Sequence, residues 1–299
     1  MGSSHRHRLP VAVAVTTSRL ASPTATIDIL ERHRLYTKKA LGQHFLVDDN
    51  VIGRIMSLAA LKGDETVIEV GPGIGTLTVA LCPAAGSVVA VERDRALAPA
   101  LAETTSDCER FSLVHADAVM VTPEELSEPF GPPRALVSNL PYQVAATVVL
   151  RFFEMLPSLE QATVMVQSEV ADRMFASPGS KEYGAYTVKL RMYAEPAGRF
   201  QVARGCFLPP PRVDSAVIRL QRRTTDVDPQ LRSVAARAAE AAFAQRRKTI
   251  RNSLRSSLGL SAETVDAALE MAGVDGSVRA ETLPPEVFMA LGTALAPNM

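Results

Sequence analysis

From Glu65 onward, short apolar runs alternate with stretches in which apolar residues recur at helical spacing. "ETVIEV" reads as a buried strand, followed by a glycine turn and a short helix in "TLTVALCP". "SVVAVE" is the next strand and "DRALAPALAETT" the next helix. "FSLVHA", "RALVSN" and "ATVMVQ" supply three further strands with helical text between them. Strands alternating with helices predict a mainly parallel α/β sheet, with ligand sites at the carboxyl ends of its strands. "FLPPPRVDSAVIRLQRR" closes this region with a Pro-rich loop and a last strand. After "TTDVDP" the period changes. Asp228-Pro229 reads as an N-cap followed by Pro at the first helical position, and Leu231, Val234, Ala235, Ala238 and Ala242 recur at helical spacing. Helices and turns are expected from there to Met299. The boundary near residue 225 separates an α/β unit over 36–225 from a small all-α unit over 226–299. Residues 1–35 are expected to be a poorly ordered extension, because the basic start and the short "LPVAVAV" run fall short of a signal segment.

Composition narrows the class. A chain of 299 residues, 47% hydrophobic, suits two domains, and no apolar run approaches the ~18 residues of a membrane span, so a soluble protein without a membrane partner is expected. Cys82, Cys108 and Cys206 are odd in number and far apart, which suits reduced thiols in the cytoplasm and fits neither a disulfide framework nor a Cys-based metal site. His5 and His7 read as a solvated pair, and no metal is expected. The net charge is zero, but its distribution is uneven. Residues 63–130 hold twelve acids and three bases, whereas residues 199–255 hold thirteen bases and four acids. The basic half suits a phosphate backbone, and two oppositely charged surfaces docked on each other would explain the same asymmetry.

The candidate chemistry lies at the strand ends. "EVGPGIGTLT" carries Gly71, Gly73 and Gly75 between the first strand and first helix. Such a turn lets a ligand approach the backbone and a helix N-terminus, although a tight connection needs the same residues. Thr76 stands where the dinucleotide pattern G-x-G-x-x-G has its last glycine, so an adenosine carrying something other than a pyrophosphate is implied. Glu92, at the end of the second strand, is placed to accept from ribose hydroxyls. Asp117, after the third, is placed to meet an adenine amino group or to cap the next helix. After the fourth strand comes "NLPY". Pro141 restricts Leu140 to extended geometry, so the Asn139 amide oxygen and the Leu140 carbonyl can act as two acceptors for an exocyclic amino group. Tyr142 offers a flat face for a base. In "FAQRRKTIRNSL", Arg247, Arg251 and Arg255 recur every four residues, and Arg246, Lys248, Arg222 and Arg223 thicken a basic patch suited to RNA. A solvated helix face is the bland alternative.

Five motifs in order, "KKALGQHFLVD", "EVGPGIGTLT", "NLPY", "FLPPPRVDSAV" and "FAQRRKTIRNSL", resemble the KsgA (RsmA) family over residues from about Tyr36 to the end. That family comprises S-adenosylmethionine-dependent dimethylases of two adjacent adenines near the 3′ end of small-subunit (16S) ribosomal RNA. The resemblance implies a Rossmann-like methyltransferase sheet with a helical, RNA-binding C-terminal domain, S-adenosyl-L-methionine as methyl donor, and the 30S particle as partner of a monomer. It further implies that His44, Leu46, Gly71, Glu92, Asp117 and Asn139 hold the donor. Asn139, Leu140 and Tyr142 would serve the target adenine, with Phe207 as the aromatic on its other face. Many relatives carry Asn in place of His44, so a contact through its backbone or its ring is expected. The alternatives are a large-subunit rRNA dimethylase of the antibiotic-resistance type, a ribosome-assembly or other RNA- or DNA-binding factor without catalysis, and, most remotely, a nicotinamide dehydrogenase.

Overall fold

The computed structural model describes residues 18–35, 43–224 and 227–298. After a first helix, α1 (Pro23–Arg32), come a two-residue strand β1 (Phe45–Leu46) and helix α2 (Asp49–Ala59). The alternating region follows as β2 (Thr66–Val70), α3 (Thr78–Leu81), β3 (Ser87–Val91), α4 (Ala98–Thr104), β4 (Phe111–Val114), α5 (Pro123–Ser127), β5 (Ala135–Asn139), α6 (Ala145–Met155) and β6 (Gln161–Gln167). Helices α7 (Ser168–Phe175) and α8 (Ala185–Arg191) precede β7 (Ala194–Val202), β8 (Phe207–Leu208) and β9 (Ser215–Arg222).

Among the described residues one sheet has the order β4-β3-β2-β5-β6-β9-β7, with β4 to β6 parallel and β9 and β7 antiparallel. Strands β2 and β3 are buried at every position, which is why they read as continuous apolar runs. The chain builds outward from β2 to β3 and β4, then returns to the other side as β5. That reversal opens a crevice beyond the carboxyl ends of β2 and β5. The expected helix of "TLTVALCP" is only Thr78–Leu81, and "FSLVHA" stops as a strand at Val114. Strand β7 was not anticipated from the pattern, because it alternates in exposure, carries Pro196 and has a register irregularity between Pro196 and Gly198.

Beyond β9 the chain is helical. Helices α9 (Pro229–Phe243), α10 (Ile250–Leu258), α11 (Ala262–Met271) and α12 (Pro285–Leu295) bear out the change of period. Asp228 caps α9 by accepting from Gln230 N at 2.8 Å, with Pro229 at the first helical position. Ala235 and Ala239 share an apolar cluster with Phe288 and Leu291 of α12 and with Tyr183, Val188 and Met192 from the α7–β7 segment. A side chain at Gly292 would place its Cβ 2.8 Å from the Ala235 Cα, so the two helices approach through small residues.

Two expectations are corrected here. Within the supposed poorly ordered extension, residues 18–35 hold the capped helix α1, whose Ile29 and Leu30 are buried; residues 1–17, including His5 and His7, lie outside the described residues. Cys82 and Cys108 are joined as a disulfide with Cα atoms 5.7 Å apart, and Cys206 alone is free. Spacing in the sequence hid this pair, because the fold brings the end of α3 beside the turn that follows α4. Among the described residues no helix is long and apolar enough to cross a membrane.

Candidate active site

The cleft at the carboxyl edge is lined by the glycine turn after β2, by Glu92 after β3, by Asp117 after β4 and by Asn139 to Val144 after β5. Gly71 adopts φ +69°, a conformation glycine tolerates best, and a Cβ there would lie 3.2 Å from the Pro141 ring. The glycine turn and the "NLPY" loop are therefore packed against each other. Where β2 and β5 cease to pair regularly, Ser138 bridges them, donating to Val70 O at 2.6 Å and accepting from Val70 N at 3.2 Å.

Asn139 closes β5 and its Nδ2 donates to the His44 carbonyl at 3.4 Å. That bond turns the amide so that Oδ1 is the acceptor available to a ligand. The next peptide is anchored by Leu140 N donating to Met165 O. The Tyr142 hydroxyl lies 2.6 Å from Ser215 Oγ, and its ring stacks on His44 at 5.8 Å between centroids and 26° between planes. His44 is held in turn by Nδ1 against Pro209 O at 2.8 Å, so both its backbone and its ring build the cleft wall. Leu46 lines the same wall from β1, which pairs antiparallel with β8.

The two acids differ. Glu92 is buried, and its Oε1 accepts from Asp94 N at 2.7 Å. Burial raises its carboxyl above the ordinary range, and backbone donors oppose that rise. Asp117 spends Oδ1 on Val119 N at 3.0 Å and has Arg93 3.4 Å from Oδ2, so it serves its own turn and still lines the cleft.

Phe207 does not join the group. It is 2% exposed, paired with Leu46 across β1 and β8, and packed among Val51, Ile55 and Val217 in the core. In this structure it presents no face to the cleft, which corrects the expected second stacking surface.

Sequence reasoning missed Gln43, Phe45, Glu69, Thr76 and Leu97, all of which line the cleft. The overlooked signal for Glu69 was a carboxylate within a strand buried on both faces. It accepts from Thr78 Oγ1 at 2.6 Å. Burial pushes its carboxyl up to about 8, the Thr78 hydroxyl opposes this, and Glu92 adds to it. Since the folded value exceeds the ordinary 4.5, the protein gains a proton at Glu69 on folding. The associated stability is fully present below about pH 4.5 and is lost as pH rises through about 8. Denaturant titrations across that window are expected to show wild type losing stability relative to Glu69→Gln. Parallel pH profiles would sink this assignment.

The chemistry of the wall fits S-adenosylmethionine. Thr76 Oγ1 is buried without a hydrogen-bond partner among the described residues, an orphan hydroxyl at the cleft. Together with the glycine turn it offers groups for the methionine end, while Glu92 and Asp117 could hold ribose and adenine.

The basic patch is only partly as expected. Arg222 is half-buried and donates to Leu159 O, Phe153 O and Leu156 O, capping the end of α6, where burial lowers its pKa. Arg223 pairs with Glu195 at 2.6 Å and faces Glu286. Arg246 meets Glu281, and Arg251 meets Asp266 at 2.6 Å. Arg247 and Lys248 lie in the turn before α10, because Thr249 caps a new helix by accepting from Asn252 N. The predicted continuous helical stripe is therefore broken, and Arg251 and Arg255 alone of its three arginines share α10. Arg247, Lys248 and Arg255 are exposed.

Comparison with known proteins places this geometry. The ribosomal RNA adenine dimethylase family matches residues 34–296. Ribosomal RNA small subunit methyltransferase A of Streptomyces griseus is 44% identical over 91% of this chain and 94% of its own, and that of Thermobifida fusca is 43% identical over 89% and 93%. Among solved structures, the 23S rRNA methyltransferase ErmE superposes with TM-score 0.63 at 30% identity, covering 84% of this chain and 99% of that one. A dimethyladenosine transferase from Plasmodium falciparum shares the fold, with TM-score 0.71 at 21% identity over 85% and 98%. With a family match across nearly the whole chain and the strand-end cleft in place, the chain belongs to the ribosomal RNA adenine dimethylase family.

Proposed function

We propose that the protein dimethylates N6 of two adjacent adenosines near the 3′ end of small-subunit (16S) rRNA within the 30S particle. Residues 36–225 form the catalytic unit, residues 226–299 the RNA-binding unit, and the enzyme works in the cytoplasm during ribosome biogenesis. The observation that carries this reading is the convergence of Gly71, Glu92, Asp117 and Asn139 on one cleft whose rim is "NLPY".

Bound there, S-adenosylmethionine supplies a methyl group already activated on a sulfonium sulfur. The chain's own task lies on the acceptor side, where the adenine amino lone pair is delocalised into the ring. Asn139 Oδ1, held by the Nδ2 bond to His44 O, accepts one N–H of that amino group, and the Leu140 carbonyl accepts the other. Both interactions strengthen as positive charge develops on nitrogen, so they favour transfer over ground-state binding. The excess proton passes to water after transfer. Tyr142, fixed by Ser215 and His44, provides an aromatic surface that offsets part of the cost of drawing the base from its stack. Arg247, Lys248 and Arg255 are exposed cations suited to RNA phosphates, and Arg246 and Arg251, though ion-paired, are exposed beside them.

The test is transfer from labelled S-adenosylmethionine to under-methylated 30S and 50S particles, followed by nucleoside digestion and mapping. Dimethyladenosine at two adjacent adenosines of 30S is the expected result. Label confined to 50S would favour the large-subunit reading, which the 30% identity to ErmE keeps as the second choice. Binding without label would favour an assembly factor.

A further inference from the structure

Helix α1 precedes the family match, which begins at residue 34, yet its buried face reaches the cleft wall. Leu20, Ile29 and Leu30 form one apolar cluster with Phe45, Ile74, Leu97 and Ala100. Phe45 and Leu97 line the cleft, and Ile74 lies inside the glycine turn. We infer that the segment from Ser18 to His33 is a positioning strap that sets donor affinity by holding α4 and the glycine turn in their binding geometry. This rests on the cleft being the S-adenosylmethionine site.

The strap is tied at both ends. At its start, Ser18 N donates to Asp49 Oδ1 at 2.7 Å, and Arg19 Nη2 donates to Thr104 O, the last residue of α4, at 2.8 Å. A cation on that carbonyl also complements the negative end of the helix dipole. At its end, Arg32 and His33 converge on Glu103 of α4, with His33 Nε2 2.6 Å from Oε2. These contacts, His33 first, hold the Glu103 carboxyl below its ordinary range.

From α4 the link continues inward. Thr104 Oγ1 donates to Ile74 O at 2.9 Å. A Cβ on Gly75 would lie 2.8 Å from that same Oγ1, so the turn and α4 fit without slack. Ile74 and Ala100 are fully buried in the cluster that α1 completes. Removing the strap's apolar face would leave a void beside the turn that presents Gly71 and Thr76, while every cleft-lining residue remained in the sequence. The strap touches no reacting atom, so its effect belongs to donor affinity rather than to the transfer step.

The experiment uses the full chain with Ile29→Ala and Leu30→Ala together, Ile29→Val as the conservative rescue, and Glu103→Gln as an exposed variant that keeps the core intact. Donor binding is measured by calorimetry, beside kinetics with 30S particles. The double variant is expected to bind S-adenosylmethionine about tenfold more weakly, the scale of coupling through packed elements. KM for the donor should rise in step, with kcat at saturating donor and KM for 30S near wild type. Ile29→Val should restore most of the affinity, and Glu103→Gln should lose about threefold, as one charge-assisted contact in such a chain. Lower thermal stability with unchanged donor affinity in the folded variants would overturn the strap, leaving it a structural appendage. If wild type binds no S-adenosylmethionine, the cleft reading falls and the inference with it.

Discussion

Asn139→Ala is expected to lower single-turnover methyl transfer by about two to three orders of magnitude, the cost of removing one preorganised group that stabilises developing charge. Donor affinity should change far less, because Gly71, Thr76, Glu92 and Asp117 remain around the same cleft. The amide has two tasks that substitution can separate. Nδ2 holds the loop to His44 O, and Oδ1 is the acceptor for the target amino group. Asn139→Asp keeps an acceptor oxygen and loses the N–H, so its turnover should fall between wild type and alanine. Rapid-quench kinetics with 30S particles, paired with calorimetry of the donor, measures both parameters. An alanine variant as fast as wild type would remove the amide from the transfer step.

Gly71→Val should weaken donor binding by at least about tenfold and lose more in turnover. At φ +69° a side chain costs roughly 1–2 kcal/mol, and more when branched at Cβ. The added atoms also meet Pro141, since even a bare Cβ would stand 3.2 Å from its ring. The chain relieves that clash only by moving the glycine turn or the loop carrying Asn139, and either movement damages the cleft. Gly71→Ala should show the same pattern more weakly. Calorimetry and thermal unfolding check both variants; wild-type donor affinity in Gly71→Val would show that neither backbone strain nor the Pro141 contact governs the site.

Gly71, Glu92, Asp117 and Asn139 were legible from strand ends, whereas His44 and Leu46, which line the same cleft, were named only through the family motif. Strand periodicity locates the last residue of β2, β3 and β5, and parallel strands bring those ends to one edge, so Gly71, Glu92 and Asn139 had to be neighbours. Asp117 was legible although its strand stops at Val114, because the loop remains on that edge. Glu69 was hidden because periodicity cannot say which polar residue of a buried strand faces a cavity. Thr76 was noticed only as a missing glycine, whereas the fold makes it an unpartnered hydroxyl in the cleft wall.

The cations show the division most clearly. Spacing identified a basic segment, but Arg222, Arg223, Arg246 and Arg251 are each engaged by groups 15 to 69 positions away in sequence. Such partners come together only through long-range packing. The same holds for the Cys82–Cys108 pair, for Phe207 turned into the core, and for α1 lying on α4. By itself, the sequence determined the alternating order from β2 to β6, the cap of α9, the cleft edge and the family motifs, because periodicity, backbone restriction and turn chemistry act over a few residues. Only the tertiary structure decided which charges stay exposed, which aromatic faces the cleft and which helix supports it, because burial and charge neutralisation depend on residues that folding alone makes neighbours.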